Sequence, residues 1–269
     1  MFLVFNKEKI QTYIVSVLTV AVLITIANVR KVETIQTSSQ EKELPIYNVK
    51  TDEKKVAFTM NCAWNADDID KILETLQKNN VKITFFLVGE WVDKYPEAVK
   101  RIAEAGHEIG THSNTHPHVN KLSSEKNLEE IKLSVNKIEK ITNKKVELYR
   151  PPYGEYNDIV IRTAKNNGYY PIQWNLDTLD YKGLTGDDMW KRIRNKISNG
   201  SIILSHNGTK NTADSLDGLI KNIKSQGFEL LTVSELIYKD NYVIDNNGMQ
   251  IKTRSEEHTS ELQSHLNLV

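Results

Sequence analysis

Cysteine is almost absent: Cys62 is the only one in 269 residues. No intrachain disulfide can form, and thiol usage does not identify the compartment. A surplus of charge is missing as well, with Lys+Arg and Asp+Glu at 35 each. That balance argues against a nucleic-acid partner and against a field that steers acidic substrates. The rest is ordinary, 39% hydrophobic and 26% charged, which suits one large domain with one core.

Charge is also missing locally. Lys7-Glu8-Lys9 precedes an uncharged run over residues 10–29, closed by Arg30-Lys31. At about 1.5 Å rise per residue, a helix of that length reaches roughly the 30 Å of a bilayer's hydrocarbon core. Ile26-Ala27-Asn28 is a poor cleavage site, so residues 1–31 read as an uncleaved, single-pass membrane anchor. The basic flanks are nearly even and leave orientation weakly determined; the reading places the remaining chain on the extracytoplasmic side of the cell membrane. Residues 32–52 are polar and aperiodic, as expected of a linker. Residues 53–240 read as the domain and 241–269 as a tail. Its last sixteen residues, 254–269, resemble the translation of a sequencing-library adapter and are read as an artefact.

Within the domain, strand-like and helix-like segments alternate. Seven strands are predicted, at 56–60, 83–88, 108–111, 146–149, 169–174, 201–205 and 228–231. Leu128, Ile131, Val135, Ile138 and Ile141 form an apolar stripe at helical spacing, predicting a helix over 124–142 capped by Ser123 or Ser124. Gly106, Gly168, Gly200 and Gly227 each stand shortly before a strand, where a helix end needs φ > 0. The pattern fits an α/β fold, a distorted (β/α) barrel or wrapped parallel sheet, whose chemistry gathers at the C-terminal ends of its strands.

Four chemistry-bearing segments fall at such ends. His112-Ser113-Asn114-Thr115-His116 sets two imidazoles four residues apart, able to close on one divalent metal. Arg150-Pro151-Pro152-Tyr153-Gly154, Asp177-Thr178-Leu179-Asp180-Tyr181 and Leu204-Ser205-His206 follow in order. With Thr59-Met60-Asn61-Cys62 at the first strand's end, these motifs resemble those of the polysaccharide deacetylases with a NodB-homology domain, and within them the sporulation-associated, membrane-anchored bacterial branch. The resemblance covers residues 55–240.

It implies a metal-dependent hydrolase, usually zinc-loaded, that removes N-acetyl groups from N-acetylhexosamine units of cell-wall polysaccharide, peptidoglycan or chitin-like. His112 and His116 match the metal ligands. Arg150 matches the arginine that orients the catalytic carboxylate, with Pro152 and Tyr153 in the groove wall. His206 matches the general acid and Asp180 the acid that tunes it. Tyr181 stands where the family usually has Trp; Leu204 and Trp64 complete the expected sugar site.

The first motif departs from the family pattern, in which the aspartate at position 61 is the general base and the next a third metal ligand. Asn61 cannot take up a proton, and loss of a positioned base typically costs about 10²- to 10⁴-fold. Cys62 falls at the third-ligand position, where a thiolate could complete a site with His112 and His116; Asp67 and Asp68 are alternative ligands or bases. His107 and His118 read as non-ligands. Two functions remain open: a cell-wall deacetylase, and a relative that binds glycan without turning it over. Oligomeric state has no signature.

Overall fold

The structure is a computed structural model that describes residues 11–22 and 42–253. Residues 11–22 are helical (α1) and constitute the described part of the predicted anchor; the rest of residues 1–31 lies outside the described residues. Among the described residues, no helix is long and apolar enough to cross a membrane. The proposed artefact, residues 254–269, also lies outside them.

Residues 42–253 centre on one long strand, β2 (Lys55–Cys62), buried along nearly its whole length. Such burial demands partners on both faces, and Val-Ala-Phe-Thr-Met supplies bulk for both. Val56, Phe58, Met60 and Cys62 face the surrounding helices and join the larger apolar cluster, while Ala57 joins an inner one with Phe86, Leu148, Ile172 and Ile202. All strand pairs of the main sheet are parallel, in the order β6 (Tyr170–Pro171), β5 (Leu148–Tyr149), β4 (Glu108–Thr111), β3 (Thr84–Leu87), β2, β8 (Ile202–His206), β7 (Leu176–Asp177). A further strand, β9 (Glu229–Leu231), pairs with the start of β2, at Lys55, Val56 and Ala57. The seven predicted strands are all present, and the sheet curls into a half-barrel consistent with the expected distorted (β/α) barrel.

The predicted strand at 169–174 is cut short: β6 ends at Pro171, and β7 begins at Leu176, beyond the predicted end. Ile172 N donates to Tyr149 O at 2.8 Å, whereas Asn175 N donates to Ile202 O at 3.2 Å. The chain therefore leaves one end of the curled sheet and joins the other within three residues, and no straight strand can pair with both. The linker and tail expectations also need correction. Ile46 and Val49 are buried, and β1 (Asn48–Val49) pairs with β11 (Met249–Lys252), which forms a hairpin with β10 (Tyr242–Ile244). Isolated apolar residues in polar sequence carry no periodicity, yet here they cover the seam, with Ile46 bridged to Ile172.

The expected long helix, Ser124–Thr142, is capped by the Ser123 side chain and closed by Asn143 in the left-handed conformation. Gly110 is needed for packing: a Cβ there would lie 2.6 Å from the Phe86 ring, which crosses the inside of the sheet. Register brings the motifs to one level. Asn61 stands beside His206 on adjacent strands, while Thr111 and Tyr149, also paired, immediately precede His112 and Arg150.

Candidate catalytic site

At the C-terminal end of the sheet lies a cavity of about 510 Å³ whose lining includes Asn61, Trp64, His112, His116, Tyr153, Tyr181, Leu204 and His206. Sequence-predicted residues from all the motifs thus converge. Pro152 does not line it. Buried, it opens the turn that carries Tyr153 at φ 58° and so presents the Tyr153 ring. Ser113, His116 and Leu179 also have positive φ, and a cluster of strained residues is characteristic of functional loops.

His206 and Asp180 form a complete unit. Asp180 is fully buried, and one of its carboxylate oxygens lies 2.9 Å from His206 Nδ1. The carboxylate also accepts from the His206 backbone N–H at 2.6 Å, the Tyr181 N–H at 2.9 Å and the Thr212 hydroxyl at 2.8 Å. An acceptor on Nδ1 makes that nitrogen the donor and leaves Nε2 as the free ring nitrogen of a cavity-lining imidazole. Trp64 and Tyr181 flank the ring, each with its centroid 5.4 Å away. Thr212, which contacts only Asp180 in this unit, has no motif signature and was missed at the level of sequence.

The opposite wall closes on itself. Arg150 has only donors, and its guanidinium donates to Asn61 Oδ1 at 2.9 Å, so the amide nitrogen of Asn61 must turn the other way. It lies 3.2 Å from His112 Nε2, while His112 Nδ1 lies 2.7 Å from the Arg150 carbonyl. A single tautomer satisfies all three contacts: Nδ1–H donates to the carbonyl and Nε2 accepts from Asn61. Burial, and secondarily His116, pulls the His112 pKa well below its ordinary value, and burial likewise lowers that of His116. Both rings are neutral at neutral pH, with centroids 4.8 Å apart.

Arg150 is itself fully buried, and burial draws its pKa well below the usual guanidinium range. Thr59 Oγ1, the Gln173 carbonyl and the Phe86 ring, 4.0 Å from the guanidinium carbon, support it, but none carries a charge. Its Nε–H has no partner. A buried cation normally acquires a carboxylate; position 61, where the resemblance expects one, holds an amide.

Cys62 is not a third ligand. On a strand, successive side chains face opposite ways; with Asn61 turned inward, Cys62 enters the apolar cluster under the helices. Burial raises its thiol pKa well above the ordinary value, disfavouring the thiolate that binds metals. Asp68 is committed to Asn207 Nδ2 at 3.1 Å and the Gly208 N–H at 2.7 Å, and Asp67 is exposed outside the cavity. Among the described residues, no three His, Cys, Asp or Glu side chains converge as a metal site. Two imidazoles with no third ligand, one of them capped by an amide and set beside a buried guanidinium, do not fit a three-ligand divalent centre.

The two histidines read as non-ligands stay apart from the pair. His107 accepts from the Ile83 N–H near the N-terminal end of the sheet, its pKa lowered to about 4 by burial. His118 bonds Glu155 at 2.9 Å and stacks on Tyr153. Sequence reading also missed Glu130, which accepts from the Asn114 and Thr115 N–H groups and pins the loop between His112 and His116.

Residues 48–172 match the family described as polysaccharide deacetylase. A peptidoglycan-N-acetylglucosamine deacetylase of Bacillus cereus is 34% identical over 68% of this chain and 68% of its own length. The chain belongs to the polysaccharide deacetylase family. An uncharacterized Bacillus subtilis protein, YlxY, is 39% identical over 72% of this chain, which spans only 60% of that relative's length. Among solved structures, a CE4 family pseudoenzyme from Bacillus anthracis superposes with a TM-score of 0.70 at 34% identity, over 79% of this chain and 74% of its own. A mutant of that pseudoenzyme with restored enzymatic activity gives 0.70 at 37%, over 74% and 72%.

Proposed function

We propose that the cavity takes an N-acetylhexosamine unit of cell-wall glycan, peptidoglycan above all, and hydrolyses its acetamide slowly, because only the proton-donating half of a deacetylase site is assembled. The observation that carries this reading is the Asn61 side chain held between Arg150 and His112. Amide hydrolysis requires an activated water, a stabilised oxyanion and a proton for the departing amine. As an imidazolium, with Nδ1–H held by Asp180, His206 can deliver that proton from Nε2 and regain one from solvent afterwards. No carboxylate at position 61 takes the proton of an attacking water. Zinc is the cofactor implied by family likeness, but His112 and His116 without a third ligand would hold Zn²⁺ only weakly.

Support for the substrate class comes from relatives named as peptidoglycan-N-acetylglucosamine and peptidoglycan-N-acetylmuramic acid deacetylases. Support from this chain is the rim: Trp64, Tyr153 and Tyr181 remain 49%, 57% and 47% exposed around the cavity, and large exposed aromatics offer faces to sugar rings. The second reading, glycan binding without turnover, is favoured by the capped His112 and by likeness to a pseudoenzyme. Acetate release from N-acetylated peptidoglycan, measured with and without Zn²⁺ beside direct glycan binding, separates them. Slow release abolished by His206→Gln supports hydrolysis; binding with no release in any condition leaves the second reading.

Residues 1–31 are proposed to anchor the protein in the cell membrane with the domain outside, where its glycan lies, and a role in sporulation follows from the branch resemblance. The uncharged run over 10–29 supports the anchor. Protease treatment of intact protoplasts tests the orientation: the domain is expected to be cleaved.

A further inference from the structure

The start of the helix Thr212–Ser225 grips the Asp180 carboxylate from behind. The Thr212 hydroxyl donates to Asp180 Oδ2 at 2.8 Å, on the oxygen that also accepts from the His206 backbone N–H, while the other oxygen meets the His206 ring. Thr212 and Asp180 are both fully buried. The Thr209 and Thr212 hydroxyl oxygens stand 2.5 Å apart. A carboxylate only accepts, so the Thr212 proton points to Asp180 and the contact between the two hydroxyls is a donation from Thr209. A one-way chain results, from Thr209 to Thr212 to Asp180, with the His206 Nδ1–H arriving from the far side. Neighbouring contacts fix both ends of it. Asn211 Nδ2 donates to the Gly183 and Leu184 carbonyls at 3.0 Å each, tying the helix start to the loop that follows Asp180. Gly208, just before Thr209, donates its N–H to Asp68 at 2.7 Å. Thr209 and Thr212 stand outside the cavity lining, so they act only through Asp180.

We propose that Thr212, polarised by Thr209, is a positioning residue for the proton donor: it fixes the Asp180 carboxylate in one orientation and draws charge from it, so that the Nδ1 proton stays on the His206 ring and Nε2 stays directed into the cavity. This role rests on the reading that His206 delivers the proton to the departing amine, and deepens it by naming what holds the donor's carboxylate. Hydrogen bonds in series polarise one another in a low-dielectric interior, so Thr209 strengthens the donation of Thr212. Every donor that a carboxylate accepts stabilises its ionised form, so Thr212 opposes transfer of the Nδ1 proton to Asp180. Asp68, an alternative ligand or base by sequence, enters the same arrangement as the anchor of the loop that carries Thr209.

The test follows the His206 ring proton by NMR in isotope-labelled, detergent-solubilised full-length protein, the Nδ1–H resonance being assigned by its loss in His206→Gln. Thr212→Val keeps the side-chain shape and removes the hydroxyl. The resonance is expected to move downfield in this variant, because a carboxylate short of one donor pulls harder on the ring N–H that remains. Thr209→Val should move it the same way by less, and Thr212→Ser should return it to the wild-type position. Acetate release, measured in the Asn61→Asp background, should fall roughly tenfold in kcat with Thr212→Val and recover with Thr212→Ser, KM staying unchanged. That loss is far smaller than the about 10⁴-fold cost of removing the orienting carboxylate of such a unit. A resonance unmoved in Thr212→Val, or moved as far in Thr212→Ser, overturns the proposal even where stability falls, since lost packing alone leaves the ring proton unchanged. A loss carried by KM alone overturns it too. If neither the unsubstituted protein nor Asn61→Asp releases acetate, the hydrolytic reading fails, while a resonance that still follows Thr212 keeps that residue as the one that positions the ring.

Discussion

Two walls of one cavity have diverged. On one, Asp180 and His206 keep every contact that a proton donor needs, with a buried carboxylate accepting from four groups. On the other, Asn61, His112 and Arg150 satisfy one another in a closed ring of contacts. One residue accounts for much of the difference. A carboxylate at position 61 would neutralise Arg150 and, lacking a donor, release His112 Nε2; the carboxamide matches the space while using up the lone pair. Hydrogen bonds can thus be nearly complete in a site whose charges are not.

The largest effect that sharpens this contrast is expected from Asn61→Asp. Acetate release should rise on the order of 10²-fold, the lower end of what a positioned base supplies. The same substitution in a His206→Gln background should give no gain. An unchanged rate in the single variant would mean that water activation does not run through position 61.

Next in size is the cost of disturbing each wall. Asp180→Asn removes a buried charge to which four donors point and turns an amide N–H₂ toward some of them, a loss expected near 3 kcal/mol or more in denaturant unfolding. Asn61→Ala leaves Arg150 without one neutral acceptor and should cost about 1–3 kcal/mol. The comparison breaks if Asn61→Ala proves the more damaging.

Burial also sets how three of the histidines respond to acid. His107, His112 and His116 have folded pKa values below the ordinary 6.5, while unfolded histidines protonate near 6.5. Between about pH 6.5 and the folded values the unfolded chain binds more protons, so stability is full above that window and falls as pH drops through it. For His107, with a folded value of about 4, the loss should approach about 3 kcal/mol by pH 4. His107→Gln should flatten the slope of unfolding free energy over pH 4–6.5; an unchanged slope would remove that buried histidine from the account.

The smallest effect is expected at Cys62. Cys62→Val should change stability by no more than about 1 kcal/mol, and zinc content of purified protein not at all. A thiol that reacts rapidly with alkylating reagent in the native state, or zinc lost on substitution, would return Cys62 to the site.

Much of this was legible along the chain because it depends on neighbours in sequence. The stripe from Leu128 to Ile141 marks a helix through its period, and Gly106, Gly168 and Gly227 take positive φ just beyond helix ends as expected, whereas Gly200 takes it in a turn well past the helix Gly186–Ile193. The motif order likewise anticipated that His112, His116, Asp180 and His206 share one end of the sheet. Other features were illegible for equally physical reasons. Ile46 and Val49 are single apolar residues whose burial depends on a seam formed by residues far away. Glu130 and Thr212 contact loops rather than the cavity, so no motif contains them.

The amino-acid sequence alone determined which chemical groups this protein possesses: three imidazoles and an acid in family order, and an amide where a carboxylate is expected. Only the folded structure decided what those groups can do. The alternation of β2 turned Asn61 inward and Cys62 outward, and the donors of Arg150 chose which end of the amide meets His112. Covalent order specifies functional groups, whereas facing, protonation and pairing depend on neighbours that only the tertiary structure supplies.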